Sequence, residues 1–155
     1  MSFLRPDPAV QRSERAFAAL SHLVERHADT PQRRGRHLHP EMASPDEVVK
    51  LLAAMVSGTV PAQAGEAEPD STDLTAALTL LPQARSDLDS AELALLQAAR
   101  GRGMTWQDIA FSLGLSSAQA AQQRHDRLQS RLDADQPASA EASAGSRSKA
   151  RAMPM

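Results

Sequence analysis

Residues 104–132 read MTWQDIAFSLGLSSAQAAQQRHDRLQSRL, and the glycine near their middle constrains the chain more than any other feature. Trp106, Ile109, Ala110 and Leu113 recur at helical spacing and define one face of a short helix. Thr105 and Asp108 stand before it at capping-box spacing. Gly114 follows, the residue best suited to left-handed backbone at a helix end. Leu115 is placed to plug the turn, and Ser116 or Ser117 to cap a further helix. Ala121, His125, Leu128 and Leu132 give that helix an apolar face. The pattern predicts a helix, a tight turn and a second helix crossing the first steeply. Ala110 falls at the expected crossing, where a larger side chain would hold the two helices apart.

The rest of the composition agrees with helix. Aromatic residues make up only 3% (Phe3, Phe17, Trp106 and Phe111), and tyrosine is absent. Such a chain lacks the aromatic side chains that a sheet favours. No cysteine is present, which excludes disulfides, thiol catalysis and cysteine-ligated zinc. No apolar run approaches the roughly 18 residues of a membrane span. The first residues carry Arg5, Pro6, Asp7 and Pro8 without the apolar stretch of a secretory signal, so a cytoplasmic location is expected.

Along the chain, Asp7 and Pro8 mark a helix start, and a helix to about Arg26 would place Phe17, Leu20 and Val24 on one face. Residues 29–43 read as a loop with the basic run Arg33, Arg34, Arg36. Ser44, Pro45 and Glu47 open a second helix ending near Gly58. Residues 61–70 are linker-like, and the acidic residues of 66–73 read as part of that linker. From Asp73 a helical pattern resumes with Leu74, Ala77, Leu78 and Leu81. Pro82 is expected to interrupt or kink it. Asp89 and Glu92 offer a fresh capping box, with Leu88, Leu95, Leu96 and Ala99 on one face. The resulting expectation is an all-α fold: an N-terminal helical segment (1–60), a linker (61–72), a helical domain (73–132) ending in a trihelical helix-turn-helix, and a disordered tail (133–155).

Net charge is −2, but its distribution is uneven. Residues 45–99 hold two cations and nine anions, whereas residues 100–132 hold five cations and two anions. Local charge governs contact with phosphates. The outward side of the last helix carries Ser117, Gln119, Gln122, Gln123, Arg124 and Arg127. Glutamine can pair with an adenine edge, and arginine with guanine or phosphate. The expected ligand is therefore double-stranded DNA, read in the major groove by residues 117–128. Arg124, Arg127, Arg131, Arg100 and Arg102 are expected nearer the phosphates.

The segment ELALLQAARGRGMTWQDIAFSLGLSSAQAAQQRHDRL resembles a family of small actinobacterial helix-turn-helix DNA-binding proteins. In that family an AAR-x-RG-x-(S/T)W-xx-IA-xx-LG stretch precedes a QAA-xx-R-xxx-RL recognition helix. The segment is also similar to the DNA-reading region of sigma factors. The resemblance covers about a third of the chain and implies a trihelical unit with Gln119, Gln122, Gln123 and Arg124 on the reading helix. It departs from the pattern in a turn one residue longer than the commonest form and in His125, where a larger aromatic is frequent.

Transcriptional regulation at the nucleoid is the expected role, by a homodimer reading two half-sites, with the helices near 8–26 and 45–57 as dimer or effector surface. The alternative is a module that uses the same helices to dock a protein. No enzyme activity, cofactor or metal is expected: there is no phosphate loop or nucleophile elbow. His22 and His27, five apart, miss the spacing of a zinc pair, and His37 and His39 lack a third ligand. The Arg33–Arg36 run reads as a solvated loop or a DNA-contacting arm.

Overall fold

Each helix begins where a short polar side chain can accept a bond from an unpaired backbone amide. The computed structural model describes residues 7–39 and 43–135, and over them the chain is all-α, with six helices. Helix α1 runs Pro8–His27, its first turn held by Asp7 accepting from the Ala9 amide at 2.8 Å. Helix α2, Pro31–Arg34, is capped by Thr30 and lies where a plain loop was expected. Helix α3, Pro45–Val56, starts with a complete capping box between Ser44 and Glu47. Helix α4 is Ser71–Gly101, α5 is Trp106–Ser112 and α6 is Ala118–Ala134. A disordered tail is expected from residue 133, but α6 continues through Ala134, and the rest of that stretch, beyond Asp135, lies outside the described residues. No described helix is long and apolar enough to cross a membrane.

The chain forms two compact units that divide after Leu88, inside α4. The first unit has a core of Ala19, Leu23, Val48, Leu52, Ala76 and Leu80. Phe17, expected inside, is 74% exposed, while Leu20 and Val24 are only half-buried. The core is centred instead on Ala19 and Leu23, with Ala16 beside them, and the two alanines permit close approach of the neighbouring helices. Much of the apolar face of α3 is likewise consumed internally by Val48 and Leu52, leaving Val56 exposed on the surface proposed for a dimer.

Helix α4 departs from expectation in three ways. It passes through Pro82 without interruption. The carbonyl that the proline leaves without an amide donor belongs to Leu78, an exposed residue, where water can serve it. The first half buries Asp73, Ala76 and Leu80 and leaves Leu74 and Leu78 outside. The second half buries Leu93 and Leu96, leaving Leu88 and Leu95 outside. Because the helix is continuous, Asp89 and Glu92 form no capping box and stand mid-helix.

A polar network runs through the first unit. Asp73 is fully buried, receives Nη2 of Arg26 at 2.9 Å and Nε2 of His22 at 2.8 Å, and also accepts the Asp70 amide at 3.0 Å. Glu66 accepts from Nδ1 of His27 at 2.8 Å, from Nη2 of Arg36 at 2.9 Å and from the Gln63 amide at 2.8 Å. Arg33, buried, donates to Asp29 at 2.6 Å. Arg33 and Arg36 are thus neither a solvated loop nor an arm but are tied down inside the unit. The segment 61–70 has no helix or strand, yet Glu66 anchors it. Burial pushes the Glu66 carboxyl up, but the bonds from Arg36, Gln63 and His27 outweigh it and bring it to about 2. Burial acts the same way on Asp73, and the Asp70 amide, Arg26 and His22 bring that carboxyl to about 2.

Candidate nucleic-acid interface

The second unit is built around Leu93, Leu96, Ile109, Ala110, Ala121 and Leu128, with Ala99, Trp106, Leu115 and Leu132 packed partly against them. These residues come from the end of α4, from α5, from α6 and, for Leu115, from the turn between α5 and α6. Thr105 and Asp108 form a capping box at the start of α5. At its end Gly114 takes φ +66°. The Gly114 amide donates to Phe111 O at 3.1 Å and the Leu115 amide to Ala110 O at 2.8 Å, closing the turn over the helix end. Ser117 then caps α6, accepting the Ala120 amide at 3.1 Å. Ala110 and Ala121 are almost wholly inaccessible, leaving no room for larger side chains where α5 and α6 meet.

The side of α6 away from this core carries Gln119, Gln122, Gln123, Asp126 and Ser130, all exposed and on one face by their spacing. Asp126 puts a negative charge among the glutamines and was not among the residues singled out from sequence, although its i+3 spacing from Gln123 could have found it. His125 is half-buried rather than in the core and meets the Trp106 ring edge-on, with centroids 5.5 Å apart. Phe111 is 86% exposed.

The arginines divide into two groups. Arg124, Arg127 and Arg131 lie along one edge of α6 and, with Asp89 and Leu128, line an open cleft of about 240 Å³. Arg124 donates through Nε to Oε1 of Glu92 and through Nη2 to Oε2 at 2.9 Å. Arg131 donates through Nη1 to Asp89 at 2.6 Å. The bonds from Arg124 hold the Glu92 carboxyl below its ordinary range. Arg127 has its Nε on the Gln123 carbonyl, at 3.2 Å. Arg100 and Arg102 stand at the end of α4 and do not line the cleft. Arg100 donates to Met104 O at 2.6 Å and lies over Trp106, 5.0 Å from the ring centre, so its guanidinium braces the turn before α5. Arg102 is exposed in that turn.

Among the described residues no group of three or more histidines, aspartates or glutamates is arranged to hold a metal ion. No family model, curated protein or solved structure matches this chain.

Proposed function

We propose that the chain binds double-stranded DNA through a trihelical helix-turn-helix made of the end of α4, α5 and α6, with α6 entering the major groove. The observation that carries this reading is the outward face of α6. Three exposed glutamines follow a glycine turn and a capped helix start, with Arg127 beside them and the opposite side of the same helix packed into the core through Ala121 and Leu128. Glutamine side chains supply paired donors and acceptors for base edges, and arginines along the helix edge meet phosphates. Helix width suits the groove. Asp126 on the same face can accept from a cytosine amino group. We further assign the protein to transcriptional regulation at the nucleoid in the cytoplasm, as a homodimer on two half-sites, because a single helix of this kind reads few base pairs.

The test is enrichment of a random duplex pool on the full chain, followed by affinity measurements at several salt concentrations. Arg127→Ala should weaken binding to every duplex and lower the salt slope by roughly 0.9. Gln122→Ala with Gln123→Ala should cost about 1–3 kcal/mol per paired contact on the enriched sequence and little on unrelated DNA. Absence of salt-dependent binding to any duplex would overturn the proposal. A second reading, docking of a protein partner, is favoured by Phe111, which exposes most of an aromatic ring on α5. Loss of a partner on Phe111→Ser with duplex binding intact would assign that surface separately.

A further inference from the structure

We infer that Asp89 and Glu92 of α4 serve as internal substitutes for nucleic-acid phosphate, occupying Arg131 and Arg124 until a phosphate displaces them. The inference rests on reading α6 as the DNA-binding helix and says how that site is held in check.

Asp89 and Glu92 stand three residues apart on one side of α4, and Arg124 and Arg131 seven apart along α6. Within each pair the carboxylate is the more covered partner. Side-chain exposure is 19% for Glu92 against 47% for Arg124, and 22% for Asp89 against 59% for Arg131. The guanidiniums are therefore the partners that solvent reaches, and of the two acids Asp89 lines the cleft. Arg124 gives Glu92 its Nε and one terminal nitrogen, the same two-donor edge that clasps a phosphate. One edge cannot serve both anions together. Arg127, between the two pairs, gives its Nε to a neutral carbonyl instead.

The consequence is electrostatic. Three arginines along this edge of α6 meet two carboxylates of α4, so the edge presents a net single positive charge where its guanidiniums alone would present three. The cleft's volume of about 240 Å³ exceeds that of a few waters, at roughly 30 Å³ each, and admits a phosphodiester group. A phosphate seated there must break carboxylate contacts and tolerate two like charges close by. Fastening α6 to α4 does not require these bridges. Leu93, Leu96, Ala121 and Leu128 already join the helices through a buried core, and half-exposed ion pairs add little to stability. Their larger effect falls on an incoming anion, and it falls equally on every sequence because phosphates carry no base identity.

The experiment compares the full-length wild type with D89N/E92Q, two nearly isosteric neutral replacements, and with E92Q alone as the milder variant. The probes are a fluorescein-labelled duplex enriched from a random pool and an unrelated duplex of equal length, read by anisotropy between about 50 and 200 mM salt. Circular dichroism establishes that the variants are folded. The double variant should bind both duplexes about tenfold more tightly at the low-salt end, as expected for freeing two ion-paired arginines. Its salt slope should steepen by up to about 1.8, two further phosphates at roughly 0.9 each. E92Q should give about half of each effect. If the wild type binds DNA and the folded variants bind no more tightly, with an unchanged slope, the inference is wrong and the acids merely orient the arginines. If neither wild type nor variant binds either duplex, the DNA-binding reading itself fails and the inference falls with it.

Discussion

Replacing Asp73 by asparagine should remove a large share of the stability of the first unit at neutral pH, and the loss should shrink as the solution is acidified. Asp73 is fully buried, and its carboxyl is lowered from 3.8 to about 2. A group whose pKa is depressed on folding adds stability above its unfolded pKa and gives it up as pH falls through the folded value. For this shift the contribution at pH 7 is about 2 kcal/mol, and by pH 3 only about half remains. Breaking a buried ion pair typically costs about 3–5 kcal/mol because a partner is left buried and uncompensated. Here Arg26 keeps 29% and His22 32% of its side chain exposed, so both can turn toward water, whereas His27, 2% exposed with Nε2 3.5 Å from Asp73, cannot; the cost stays within the range, at its lower end. The expected cost is therefore about 3 kcal/mol, a urea midpoint lower by on the order of 1 M. Two probes localise it. The sole tryptophan, Trp106, lies in the second unit, so its fluorescence follows that unit, while far-ultraviolet circular dichroism follows both. The dichroism transition should move more than the fluorescence transition. An unchanged midpoint at pH 7, or a deficit as large at pH 3 as at pH 7, would refute the assignment of Asp73 as a charged anchor.

Two further substitutions probe the second unit. Ala110→Leu places a larger side chain at a position only 1% exposed and should cost about 1–3 kcal/mol, read as an earlier unfolding transition in Trp106 fluorescence. Gly114→Ala meets open space, since no atom lies within 4 Å of the added carbon, but it forces a left-handed backbone at φ +66°. Its cost should be conformational only, roughly 1–2 kcal/mol in the same assay.

The features legible in the sequence are those that neighbouring residues decide. Asp7, Ser44, Thr105 and Ser117 cap their helices because each needs only an amide two or three residues ahead. Gly114 turns the chain because the left-handed backbone there suits glycine best. The buried network was not legible, since its partners lie far apart: 51 residues separate His22 from Asp73, and 39 separate His27 from Glu66. A hint existed in His22 and Arg26, one helical turn apart and facing the same way, but nothing local identifies which acid they meet. Helix α4 misled for another reason. Leucines occur on more than one of its faces, so periodicity offers competing cores, and the choice falls to what packs against each half. The outward placement of the glutamines on α6 followed more securely because the opposite side offers only alanine, leucine and histidine to bury.

The same pairing of arginine with carboxylate sits in different surroundings in the two units, and burial makes the difference. In the first unit Glu66 and Asp73 expose none of their side chains, so salt reaches these pairs poorly and no outside anion can compete for Arg36 without opening the core. Such contacts specify which elements meet. In the second unit Arg124 and Arg131 remain about half exposed while paired, so their partners can be exchanged without disturbing the apolar residues beneath. Exchange of one anion for another at a solvated guanidinium needs only a competing anion dense enough in charge, and a nucleic-acid backbone supplies one about every 1.7 Å of duplex. On the proposed reading, a chain of net charge −2 would approach a polyanion through this one local surface, with its own carboxylates setting how strongly that surface responds.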